Sequence, residues 1–137
     1  MEIKYRTSPN DEARLLRVRR MAIKMMKKHG LMKGKDPWMF DWSYAKTQLG
    51  HCDYNDKVIR LSKWWMMSVS WEQCLDTILH EIAHALIDRK HGHDKVWKQK
   101  CREIGAIPKR CYEGEFQNKR KELNYNYPDI NRYRISS

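Results

Sequence analysis

The stretch that most restricts what this chain can become is His80-Glu81-Ile82-Ala83-His84. On a helix, residues four apart share a face, so the two imidazoles can reach one metal ion while the glutamate stands beside it as a base. A chain of this length and composition matches the pattern by chance about 0.015 times, so the neighbouring residues must decide.

Those neighbours agree. Ser70, with Gln73 three residues on, forms a capping box, and Glu72 adds negative charge to the first turn. Leu75, Ile78, Leu79, Ile82, Ala83, Leu86 and Ile87 recur at steps of three and four. This predicts a helix from about Trp71 to Lys90, apolar on one broad face and stopped at Gly92. A catalytic zinc keeps three protein ligands and one open position. His93 is the expected third, reached by a turn at Gly92, after which Asp94 can cap a second helix from Lys95 to Ile104. Trp97, Cys101 and Ile104 form that helix's apolar stripe, and Gly105 and Pro108 end it. His91 and Glu103 are the alternative third ligands. Asp76, His80, His84 and Asp88 fall at successive steps of four, so either aspartate could accept the second ring N–H of a ligand histidine.

The run His80 to Leu86, then Gly92-His93-Asp94-Lys95-Val96-Trp97, then Cys101 to Gly105, resembles the SprT-like zinc metalloproteases, the family that includes Spartan. Upstream, Ala45, Leu49, Gly50 and Val58 to Leu61 are similar in order and spacing, so the resemblance covers about Trp38 to Pro108. It implies an α+β, zincin-like single domain in which the H-E-x-x-H helix packs on other helices and a small antiparallel sheet. It also implies Zn2+ on His80, His84 and His93, Glu81 as the catalytic base for peptide-bond hydrolysis, and a sheet edge that holds an extended protein substrate. Two features depart from the family pattern. Asp94-Lys95 stands where many members have Gly-Pro, and no Cys-x-x-Cys ribbon follows the core in these 137 residues.

Charge divides the chain. Eleven Lys and Arg face three Asp and Glu over residues 1–35, six face nine over 36–94, and eleven face five over 95–137. The expected organisation is one domain, 1–137, with a basic helix over 9–29, a zinc core over 38–108 and a basic segment over 109–137. Ser8-Pro9 opens the first helix; its Leu15, Val18, Ala22 and Met25 form one face and Arg14, Arg17, Arg20, Lys24, Lys27 and Lys28 another. Arg17, Arg20, Lys24, Lys27 and Lys28 are the candidate contacts to DNA, either single-stranded or in DNA–protein complexes. A second mixture of charge and rings, Lys119 to Arg134 with Tyr125, Tyr127 and Tyr133, suits single-stranded nucleic acid.

Between these parts, Trp38 to Trp42 alternates as a strand, and Cys52 to Tyr54 with Val58 to Leu61 reads as a hairpin. Trp64 and Trp65 are expected to pack beneath the H-E-x-x-H helix. His91, Tyr112 and Tyr125 are the candidates for stabilising an oxyanion. No run of 18 apolar residues and no signal-peptide core exist. The expectation is a cytoplasmic protein, nucleoid or nuclear if DNA-associated, without secretion, membrane partner or disulfides, in which Cys52, Cys74, Cys101 and Cys111 are thiols. Two functions follow from these residues. One is a zinc-dependent endopeptidase acting on DNA-bound or DNA-crosslinked proteins. The other is a nucleic-acid-binding adaptor with a structural zinc site and no proteolytic activity.

Overall fold

The computed structural model describes residues 8–87 and 91–108. The Ser8 hydroxyl accepts the Asp11 amide, and the Asp11 carboxylate accepts the Ser8 amide in return. This reciprocal cap, with Pro9 at the first position, starts α1, Pro9–Lys28. Leu15, Val18, Ala22 and Met26 are buried along one face.

Three short strands follow: β1, Met39–Ser43; β2, Gly50–Asp53; and β3, Val58–Ser62. The expected hairpin is present, β2 antiparallel to β3, with the Asp53 carboxylate accepting the Asn55 and Asp56 amides to close the turn. The sheet as a whole is mixed rather than antiparallel, because β1 pairs parallel to β3 in the order β1-β3-β2. Turn residues specify the hairpin locally. The partner of β1 lies 19 residues downstream and is chosen by burial of Ile59 and Leu61, both fully enclosed.

A four-residue helix that the sequence reading did not anticipate, α2, Lys63–Met66, starts on the Ser62 hydroxyl, which accepts the Trp65 amide. Trp65 is buried and donates Nε1–H to the Lys46 carbonyl, whereas Trp64 is only partly buried and carries the Lys46 ammonium 4.7 Å over its ring. Next comes α3, Trp71–Leu86, capped by the Ser70 hydroxyl on the Gln73 amide. It ends one turn before the expected Lys90, since Ile87 is extended. The His84 carbonyl receives the Ile87 amide at 3.3 Å and the Tyr54 hydroxyl at 2.7 Å, which fastens this end of the helix to the turn of the hairpin. Finally α4, Lys95–Ile104, stops at Gly105, whose φ of 90° lets its own amide and that of Ala106 turn back onto the Cys101 carbonyl.

Helix α3 lies at the centre, against β2 and β3 on one side and α1 and α4 on others. Of its sixteen residues, eleven from Gln73 to His84 are buried. The apolar residues among them, with Val18, Leu49, Trp65 and Trp97, make one continuous core. Cys74 and Cys101 are buried free thiols and Cys52 is partly buried; Cys111 lies outside the described residues. No helix among the described residues is long and apolar enough to cross a membrane.

Candidate metal centre

The i, i+4 spacing on α3 does put His80 and His84 side by side, their ring centroids 5.1 Å apart. The turn after residue 90 brings in the third ring. His93 Nε2 lies 3.1 Å from His84 Nε2 and 3.3 Å from His80 Nε2, and the ligand atoms of all three lie within 4.8 Å of one another. Tetrahedral bonds of 2.0–2.1 Å to one zinc would hold neighbouring nitrogens about 3.3–3.4 Å apart, so three lone pairs already converge at a suitable spacing. Burial, reinforced by the neighbouring imidazoles, pulls His80 down to about 2 and His84 to about 4. Both are therefore neutral at pH 7, the form a metal requires.

One side chain backs all three rings. Trp97 of α4, wholly buried, stacks on His84 at 5.2 Å between centroids and meets His80 and His93 edge-on at 4.6 and 4.7 Å. Its Nε1 donates to the His80 carbonyl at 3.4 Å. The apolar stripe of α4 thus does two jobs, packing the helix pair and walling the imidazoles on the side away from solvent.

Glu81 faces the same space. Its carboxylate oxygen Oε2 is 4.0 Å from His80 Nε2, only 3 % of the residue is exposed, and burial pushes its carboxyl up to about 8. Gly50 of β2 makes this placement possible: a Cβ there would stand 3.1 Å from Glu81 Cγ, Glu81 Oε2 and Thr77 Cγ2. A side chain there would be tight against both residues, which would have to give way by a few tenths of an ångström. In front of Glu81 and the imidazoles lies an open cleft of about 270 Å³, whose other wall is Gln48, His51, Cys52 and Tyr54 beside β2.

Several expectations resolve differently from one another. His91 lines the cleft, but its Nδ1 is paired with Asp94 at 2.8 Å; Glu103 is turned to Lys100 at 2.7 Å on an exposed face. Asp76 Oδ1 accepts the Ile107 amide at 2.7 Å and so ties the segment after α4 to α3. Asp88, Tyr112, Tyr125 and the basic segment 109–137 lie outside the described residues. On α1, Arg17, Arg20, Lys24, Lys27 and Lys28 are all exposed. Arg14 is not part of that outward stripe. It donates to the Met66 and Val69 carbonyls, contacts Cys74 Sγ at 3.6 Å and lies 4.3 Å over the Trp71 ring, shared with Arg17 at 4.8 Å. The signal for this was available: one residue from Leu15 and four from Val18, Arg14 borders the buried face.

His51 and Tyr54, which sequence reasoning passed over, join the cleft only because the hairpin packs on α3. For His51 the alternation along β2 was a usable signal, since it is the exposed position between buried Gly50 and half-buried Cys52.

A central helix presenting two imidazoles at i, i+4, a third from the following turn and a buried carboxyl within one cleft defines an α+β domain with a three-histidine metal-binding geometry. The chain belongs to the SprT-like family, whose profile matches residues 20–122. No curated protein and no solved structure is matched by this chain.

Proposed function

We propose that this chain is a zinc-dependent endopeptidase of SprT-like type. The observation that carries the reading is Glu81. A site that holds metal only to brace a fold has no use for a buried carboxyl beside the ligands, and burying one without a partner is costly. His80, His84 and His93 would hold the ion through Nε2. Bound there, zinc supplies Lewis acidity, polarising a carbonyl and acidifying water.

The remaining work falls to the chain. A cation held by the three imidazoles would favour the charged form of Glu81 against the effect of burial; as a carboxylate its Oε2 takes the proton of the attacking water, and the same carboxyl passes it to the departing amine when the peptide bond breaks. β2 is the outer strand of the sheet on the side of α3, so an extended protein segment adding to it would cross the cleft in front of Glu81. The exposed cations of α1 fit an association with DNA, and hence a substrate that is DNA-bound or DNA-crosslinked protein.

Glu81→Gln separates this reading from an adaptor with a structural zinc. The expected result is hydrolysis of protein substrates reduced about 10²–10⁴-fold with zinc content unchanged by metal analysis. Equal rates for the two proteins would remove Glu81 from the chemistry and the proposal with it.

A further inference from the structure

We propose that the carboxylate of Asp94, by clamping His91, is the positioning element that sets His93 at the metal centre; the role rests on the metal-binding reading above. Asp94 divides its two oxygens. Oδ1 accepts the Val96 and Trp97 amides at 3.0 and 3.1 Å and so caps α4, while Oδ2 holds His91 Nδ1 at 2.8 Å. One carboxylate therefore closes the chain from 91 to 94 into a ring, and His93 is inside that ring.

Gly92 is the most pliable residue of this short loop, and a Cβ placed there would meet no atom within 4 Å. The cap also reaches the site from the other side, because the helix that Asp94 starts carries Trp97 against all three imidazoles. Both partners reach solvent, the side chains of His91 and Asp94 being 24 % and 46 % exposed. A pair so placed adds little to fold stability. Its effect is on where the His93 ring stands.

Affinity of the full chain for zinc and for cobalt, measured by competition with a chromophoric chelator, tests this. Asp94→Asn keeps a good helix cap but loses the charged clamp. Expected is metal binding weakened about 10-fold or more, with the melting temperature of the metal-depleted protein little changed. His91→Ala, which leaves the cap untouched, should weaken binding alike and keeps the test readable should Asp94→Asn unfold. The double variant should lose no more than either single one, because the two residues act as one device. Wild-type affinity in both single variants, or a double loss equal to the product of the single losses, overturns the clamp alone. A wild-type chain that takes up neither ion overturns the metal centre and this role together.

Discussion

Helices α1 and α3 both carry polar side chains at helical spacing, and they treat them in opposite ways. Along α1 the cations Arg17, Arg20, Lys24, Lys27 and Lys28 point to solvent. Along α3 the polar set Asp76, His80, Glu81 and His84 is buried. A solvated charge costs nothing, so its presence tells little about its use. A buried polar group has to be compensated, whether by a partner or by staying neutral, so its presence is informative. Arg14 shows that face, rather than helix, is what matters, since it sits on α1 and yet serves the interior.

The strongest way to break this contrast is to remove the wall behind the buried set. Trp97→Ala should cost about 3–5 kcal/mol of stability by denaturant titration, and should weaken metal binding as well. A loss under about 1 kcal/mol would mean that α4 is not part of the core.

Protonation sharpens the same contrast. In chelator-treated protein, His80 and His84 have folded pKa values far below 6.5, so as pH falls below 6.5 the unfolded chain binds protons that the folded chain refuses, and stability drops. Glu81 acts oppositely. Its folded value near 8 lies above the ordinary 4.5, so between those limits the folded chain holds the extra proton and stability rises as pH falls. Glu81→Gln should therefore steepen the acid-side loss between pH 6 and 5 by one proton, about 1.4 kcal/mol per pH unit. Parallel stability curves for the two proteins would show that the carboxyl is not buried as described.

Arg14→Ala comes next, at about 1–3 kcal/mol, because the Met66 and Val69 carbonyls lose their donor. An effect as small as that of Lys24→Ala would place Arg14 with the solvated stripe after all. Smallest are Lys24→Ala and Lys27→Ala, each within about 0.5 kcal/mol on stability. If DNA lies along α1, each should instead lower the slope of log affinity against log salt by about one, measured on single-stranded and duplex DNA. An unaltered slope would assign the face to solvent only.

Much of this was legible beforehand. Ser8, Ser70 and Asp94 cap the helices that their positions announced, and the three-and-four steps from Leu75 to Ile87 marked the helix that became the centre. Local rules carry these because a cap or an amphipathic face involves residues within a turn or two of one another. The parallel partner of β1, the end of α3 at Leu86 and the arrival of Tyr54 in the cleft were not legible. Each depends on contacts between segments far apart in the chain, which no period or spacing encodes.

The order of residues by itself determined which groups could hold a metal and which carboxyl stood next to them, since helical geometry alone places positions 80, 81 and 84. Tertiary structure decided that His93 rather than His91 or Glu103 would meet that pair, and that Gly50 would leave room for Glu81. Convergence of three rings requires two helices and a turn to pack at one distance and angle, and that is settled by the burial of Trp97 and its neighbours.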